Sequence, residues 1–498
     1  MLKQALTYTP DTSLLFEKIA HEEWAIFLDS GKPAGEYGRY DIIVARPFIT
    51  ITTRNHRAYI TQDETTTNFL EHDPFALLKR VMASYKNQCN NELNLPFSGG
   101  AVGYFAYDLA RYLEVLADTA QDSADMPEMS VGIYDWAVVV DHRDKCAWLV
   151  SQGYDSRTKE IWPDLCRLFE SPTQQNTRHL SMSNALPSHA FRVGGSELDS
   201  SKPDKVVHSN MDLAAYSAAF NRIKRYILEG DCYQVNLAQR FSVKAEGDAW
   251  IAYKKLREIS PAPFMAYINL PQCQVLSGSP ERFLQVINQH VETRPIKGTR
   301  PRAADAAQDA ANAKALVDSL KDQAENLMIV DLLRNDISKS CEIGSVKVPN
   351  LFSLQSFAYV HHLVSTVTGV LRADKTPVDL LGGCFPGGSI TGAPKLRAMQ
   401  IIEELEPHRR GLYCGSIGYI GFDGNMDTNI AIRSIVYANN EMSFYAGGGI
   451  VADSEMLKEY TETWDKAASM LKLMQYFGAE IDYPNLVSNP STPKPTAQ

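Results

Sequence analysis

The chain has almost nothing that would mark a zinc ribbon, a disulfide scaffold or a membrane span. Its 498 residues include only eight cysteines, Cys89, Cys146, Cys166, Cys232, Cys273, Cys341, Cys384 and Cys414, and no two of them form a C-x-x-C pair. That spacing excludes paired-thiolate zinc sites and a disulfide framework. The thiols read as reduced, mostly buried small hydrophobes. Cys414, in Tyr413-Cys414-Gly415-Ser416, has the outline of a nucleophile turn, but spacing assigns it no base and burial is the preferred reading. No apolar run approaches the roughly 18 residues of a membrane-spanning helix. The start, Met1-Leu2-Lys3-Gln4-Ala5-Leu6-Thr7, lacks a signal-peptide core. A cytoplasmic location is the resulting expectation. No lysine- or arginine-rich block offsets the formal charge of -10, so neither nucleic acid nor an anionic membrane is expected as a partner. An anionic small molecule would need positive charge gathered locally.

What remains is an ordinary globular composition, 44% apolar and 22% charged. The length suits either a few domains or one large α/β unit. Up to residue 171, short alternating segments such as Trp24 to Leu28, Phe48 to Thr52 and Trp136 to Val140 predict a mainly antiparallel sheet with a few helices. Residues 172–208 turn polar and rich in Ser, Asn and Pro, and read as a linker or excursion. A second region, 209–483, opens with an amphipathic helix over Leu213 to Leu228 and continues with strands at Phe264 to Leu270 and Val275 to Ser277. Helical spacing returns from Leu320 and again over Tyr460, Trp464, Ala467, Leu471 and Met474. The tail, 484–498, is proline-rich without apolar periodicity and is expected to be disordered.

Lys297, in Arg294-Pro295-Ile296-Lys297-Gly298-Thr299-Arg300, places an amine at the mouth of a strand-to-loop turn. Residues three apart share a helix face, so Asp322 with Glu325, and Glu459 with Glu462, are two acidic pairs able to converge across a cleft. Converging carboxylates repel unless a hard divalent cation joins them, and Mg²⁺ suits one or two carboxylates plus substrate oxygens. The same residues also read as solvated helix charges, with Glu462 and Lys466 as a surface pair. Gly447-Gly448-Gly449 reads as an anion-holding turn between a strand over Met442 to Tyr445 and a helix starting near Asp453. The run from Gly387 to Lys395 is not a phosphate loop, because Ala393 stands where that motif needs lysine. Arg433 offers a carboxylate fork and Lys466 a point charge.

Ordered motifs along nearly the whole chain give a resemblance. They include Phe27-Leu28-Asp29-Ser30, Gly38-Arg39-Tyr40-Asp41, the Gly99 to Asp108 run, Gln234-Val235-Asn236-Leu237, Ser277-Gly278-Ser279-Pro280-Glu281, the Lys297 heptapeptide, the Ala324 to Leu332 run, His361-His362-Leu363-Val364-Ser365-Thr366 and Gly387 to Lys395. In these the sequence resembles the chorismate-utilising enzymes, and within them the branch that makes 4-amino-4-deoxychorismate for p-aminobenzoate and folate synthesis. The resemblance implies an α/β (α+β) fold of two large, mainly antiparallel sheets packed together with helices outside. It implies magnesium held by Glu325 and Glu462, with Asp322 and Glu459 as water-mediated supports. It places the carboxylates of chorismate against Thr299, Ser389, Tyr413, Arg433, Gly447, Gly449 and Lys466, and His362 beside the ring. Lys297 becomes the nucleophile at C2 and Glu281 the general acid at the C4 hydroxyl. No cysteine stands in a Gly-x-Cys-x-Gly setting, so the ammonia is expected from a separate glutaminase subunit. The family can hold tryptophan near a Leu-Leu-Glu-Ser segment, which implies a tryptophan site at Leu28, Asp29 and Ser30. Two alternatives stay open: anthranilate synthase component I, which typically has Ala at the position of Lys297, and a catalytically inactive amino-acid-binding regulator, which the full catalytic set argues against.

Overall fold

The computed structural model describes residues 1–31, 38–85, 89, 91–123, 126–170, 191–194, 205–356 and 360–484. The tail from 485 and most of the 172–208 stretch lie outside these residues. Two sheets dominate, of 14 and 12 strands among the described residues. The alternation seen in the sequence explains how they pack. Along Trp136–Asp141, Trp136, Val138 and Val140 face one apolar cluster while Ala137 and Val139 face another. Side chains alternate across a pleated strand, so a strand apolar at every position is buried on both faces. In the 12-stranded sheet, Val102 and Tyr104 join that second cluster with Ile417 and Tyr419, whereas Ala101 and Phe105 point the other way. The cluster shared by Ile26, Ile42, Val44, Val102 and Tyr104 is therefore the seam between the sheets. Helices cover the outer faces. Ala249–Ile259 and Met456–Tyr476 pack on the 14-stranded sheet, and Pro74–Ala83, Leu320–Ser338 and Pro377–Cys384 on the 12-stranded one. Each large apolar side chain buried in these layers, such as Trp136 or Trp250, contributes roughly 1.5–3 kcal/mol.

Both regions of the chain contribute to both sheets. Ala25–Asp29 pairs with Phe264–Asn269 in one sheet, and Gly100–Phe105 with Ser416–Gly421 in the other. The boundary at 171 describes order along the chain, while strands from either side of it share hydrogen bonds. Among the described residues the named strands pair antiparallel apart from Val206–Ser209 with Glu480–Ile481. The described ends of the polar 172–208 stretch, Arg192–Val193 and Val206–Ser209, both pair with the long strand Gln234–Glu246. The expected helices form at Leu213–Leu228, where the Asp212 side chain accepts from the Ala215 amide, and at Leu320–Ser338, where Ser319 accepts from that of Asp322. Such caps satisfy N–H groups that a helix start leaves open. No helix among the described residues is long and apolar enough to cross a membrane. All eight cysteines are free, and burial pushes the Cys414 thiol up to about 12.

Candidate active site

Two connections carry the chain from one sheet to the other and lie side by side. Glu281 sits between Gln274–Ser279 of the 14-stranded sheet and Arg282–Ile287 of the 12-stranded one. Arg433 sits between Met426–Asn429 and Ser434–Ala438, which cross in the opposite sense. They are laced together: the Ile430 amide donates to the Glu281 carbonyl at 3.0 Å, the Gly278 amide to the Arg433 carbonyl at 2.9 Å, and the Ser279 hydroxyl to the Ile430 carbonyl at 2.6 Å. Arg433 takes φ +49°, a left-handed conformation costing a side-chain-bearing residue about 1–2 kcal/mol. Its guanidinium makes no ion pair among the described residues, and burial pulls its pKa down. A buried, unpaired guanidinium has five donors to offer an incoming carboxylate.

Lys297 is inside the strand Ile296–Pro301, not at a strand end as the sequence suggested. The register of this strand against Val360–Val370 shifts between Lys297 and Thr299, so Gly298 forms a bulge at φ +76°. A Cβ at Gly298 would lie 2.7 Å from Leu316 and 3.0 Å from Asp322, so the helix side closes on glycine alone. Such a bulge re-aims the flanking side chains. The Lys297 Nζ donates to the Ser389 carbonyl at 3.0 Å, and the Ser389 hydroxyl donates to Glu281 Oε1 at 3.0 Å. One residue thus holds an amine with its backbone and a carboxyl with its side chain. Burial lowers the Lys297 pKa, aided by the Lys466 charge and opposed by Glu281, Glu325 and Glu462. Burial likewise raises that of Glu281, against Lys297, Ser389 and Lys466. The two shifts run toward each other, and both have burial as their largest cause. Thr299, across the bulge, shares a 2.9 Å hydrogen bond with His362 Nδ1. Burial and then the Arg433 charge push His362 down to about 4, so its imidazole is neutral at pH 7.

Gly447-Gly448-Gly449 is not a turn. The glycines lie within the strand Glu441–Ile450, paired with Ala238, Leu237 and Asn236, and the following helix begins at Met456. Their missing side chains serve close approach. A Cβ on Gly448 would be 3.3 Å from Glu459 Oε2, 3.6 Å from Glu462 Oε1 and 3.7 Å from the Lys466 amine. Lys466 donates to the Gly447 carbonyl at 2.9 Å and pairs with Glu462 at 2.7 Å. Tyr413 stacks on Tyr445 in the same strand, ring centres 5.4 Å apart.

Carboxylates reach this place from two helices. Burial and the charges of Asp322 and Glu459 raise the Glu325 pKa, against Lys297 and Lys321. Glu459, also raised chiefly by burial, accepts a 2.6 Å hydrogen bond from Ser454. Burial pushes Glu462 upward as well, but Lys466, Lys321 and Lys297 outweigh it and leave it lowered. Asp322 is paired with Arg300 at 2.9 Å. Arg300, Lys321 and Ser454 were not singled out from the sequence; of the three, Lys321 had a signal, its i,i+4 spacing to Glu325. Among the described residues no three His, Cys, Asp or Glu side chains already close into a metal cage. Mg²⁺ needs only one or two carboxylates alongside substrate oxygens, and these half-buried, mutually repelling oxygen donors fit such a hard cation.

A family model described as chorismate binding enzyme matches residues 24–472. The chain belongs to the chorismate-binding enzymes. It is 43% identical over 460 residues to aminodeoxychorismate synthase component 1 of Escherichia coli (strain K12), covering 92% of this chain and 95% of that one. It is 36% identical over 474 residues to anthranilate synthase component 1 of Bacillus subtilis (strain 168), covering 94% and 90%. Among solved structures, anthranilate synthase component I from Streptococcus pneumoniae TIGR4 superposes with a TM-score of 0.70 at 30% identity, over 87% of this chain and 92% of that one. The expectation of two large antiparallel sheets with surrounding helices is thereby met.

Leu28, Asp29 and Ser30 are elsewhere in this chorismate-binding fold. They line a cavity of about 620 Å³ with Arg39, Tyr40, Arg282, Tyr419 and Asp427, and none of Lys297, Glu281, Glu325 or Glu462 lines it. Asp29 is held by Arg257 at 2.5 Å and the Tyr253 hydroxyl at 2.9 Å, while the Ser30 amide and hydroxyl both donate to Asp41 at 2.7 Å.

Proposed function

We propose that this chain aminates chorismate at C4 to give 4-amino-4-deoxychorismate, using ammonia from a separate glutaminase subunit. The observation that carries the reading is the Lys297–Ser389–Glu281 bridge, which sets a nucleophile and an acid on one rigid segment. The neutral Lys297 amine attacks C2 of the ring, the two double bonds shift, and the C4–O bond breaks as Glu281 gives its proton to the departing hydroxyl, releasing water. Ammonia then adds at C4 and returns a proton to Glu281, the double bonds shift back, and the C2–N bond breaks to free Lys297 as a neutral amine. Arg433 and Lys466 bind carboxylates, with Thr299, Tyr413, Gly447 and Gly449 shaping their place. Neutral His362 lies beside the ring. Glu325 and Glu462 would hold Mg²⁺, with Asp322 and Glu459 as water-mediated supports. When bound, the metal would neutralise a substrate carboxylate and draw electron density from the ring. The identity to aminodeoxychorismate synthase component 1 supports this reading over anthranilate formation.

The 620 Å³ cavity at Leu28, Asp29 and Ser30 is the place we assign to a bound tryptophan; its volume falls in the range of small-molecule sites. The deciding assay combines the purified chain with chorismate, Mg²⁺ and ammonium and identifies products by mass spectrometry. Aminodeoxychorismate without pyruvate is expected, and none from glutamine until a glutaminase is added. Anthranilate with pyruvate would move the chain to the other branch, and no turnover at all would favour an amino-acid-binding regulator.

A further inference from the structure

We infer that Glu406 and Arg410 are a positioning pair for the amination site, an inference that rests on the reaction proposed above. They follow the helix Lys395–Leu405, and their side chains are 3% and 1% exposed. The pairing is forked: Arg410 Nε donates to Glu406 Oε2 at 2.9 Å and Nη2 to Oε1 at 2.7 Å. Neither group stops there. Arg410 Nη1 donates to the Ile390 carbonyl at 3.1 Å and Nη2 to that of Asn236 at 2.9 Å, while Glu406 Oε1 accepts from the Ala238 amide at 2.9 Å. The guanidinium also lies 5.0 Å from the ring centre of Tyr107 and 5.5 Å from that of Tyr413.

Each contact reaches the site by one step. Ile390 follows Ser389, the residue that holds both the Lys297 amine and the Glu281 carboxyl. Asn236 and Ala238 stand opposite Gly449 and Gly447 in the sheet. The fork therefore sets the distance between the nucleophile–acid segment and the glycine strand. Only a planar guanidinium donates in several fixed directions at once, and lysine cannot copy it. Replacing a buried ion pair by apolar residues of similar volume is often neutral for stability. A pair kept for stability alone would lower the folded fraction on that exchange but leave the rate per folded molecule intact.

The test uses the full chain in two forms, the double variant Glu406→Met with Arg410→Met, and Arg410→Lys. Steady-state rates with chorismate, Mg²⁺ and saturating ammonium are normalised to folded protein by circular dichroism. The expected result is a kcat reduced roughly ten- to hundredfold, because small misplacements of reacting groups are costly, with KM for chorismate within about threefold of wild type. Arg410→Lys keeps the charge pair while losing the fork, so it decides the matter if the double variant folds poorly. Wild-type kcat in the folded variants would overturn the inference, as would a raised KM with kcat unchanged. A wild type that makes no aminated product fails the reaction itself, whereas an active wild type with unimpaired variants fails only the pair.

Discussion

The cavity at Leu28, Asp29 and Ser30 and the site at Lys297 differ most in how their charges are matched. Around the cavity Asp29 meets Arg257, Arg39 meets Asp141, and Arg282 bridges Asp427 and Glu292. At the site, Arg433 has no ion pair among the described residues, Lys297 rests on a carbonyl, and Glu325 is pushed up by burial beside other carboxylates. Volume marks a place where something fits, while unmatched charge marks a place where something reacts or binds tightly.

The sharpest way to break that contrast is Lys297→Ala. The loss of the nucleophile should lower kcat by roughly 10³-fold or more, with a residue of activity from the groups left behind. Intact-mass analysis of wild type with chorismate and without ammonia should show a lysine-linked adduct that the variant lacks; equal rates in the two would remove the role. Next in size, Glu325→Gln or Glu462→Gln should cost on the order of 10²-fold or more and raise the Mg²⁺ concentration needed for half-maximal rate, since each removes an anionic oxygen donor. Unchanged magnesium titrations in both would clear these residues of metal binding.

The third prediction sets the two regions directly against each other. Arg433→Ala should raise KM for chorismate by roughly tenfold to a hundredfold while leaving the melting temperature nearly unchanged, because its guanidinium has no ion pair to abandon among the described residues. Arg282→Ala should do the reverse, destabilising the fold by about 3 kcal/mol because Asp427 loses its buried counter-charge and Glu292 is left with Arg294 alone. Calorimetry and kinetics on both variants read this out, and parallel effects would erase the distinction. The smallest effect concerns pH. Activity needs a neutral Lys297 and a protonated Glu281, so kcat/KM follows a bell whose two limbs report these two groups. The Ser389 hydroxyl lowers the Glu281 pKa, so Ser389→Ala should move the limb set by this acid to higher pH. A limb that stays put would detach Ser389 from the acid.

Local pattern carried much of this into view. The period of Leu213–Leu228 is a short-range feature and appears in the structure as expected, and Trp136–Asp141 forms the expected strand but is buried on both faces and does not alternate. The pairing of Ala25–Asp29 with Phe264–Asn269 was not legible, because nothing in either strand names a distant partner. Gly447-Gly448-Gly449 misled because glycine is poor in strands and common in turns. Its reason for being in a strand is the helix of Glu459, Glu462 and Lys466 pressing on it, a tertiary fact. Glu406 and Arg410 had a signal, an i,i+4 opposite-charge spacing, which ordinarily marks a solvated pair. Roles for Lys297 and Glu281 came from the resemblance, since a lone lysine and glutamate have no spacing rule to betray them.

The sharing of both sheets between early and late strands has a consequence for synthesis on the ribosome. Leu28 finds Ala266, and Gly103 finds Gly418, only after most of the chain has emerged. Until then the strands Ala25–Asp29 and Gly100–Phe105 present unpaired edges with apolar faces on both sides. Non-local pairing of this kind is slow and leaves growing chains prone to sticking together. A nascent chain halted near residue 260 should therefore need a chaperone to stay dispersed, and the first half expressed alone should aggregate instead of folding as a separate unit.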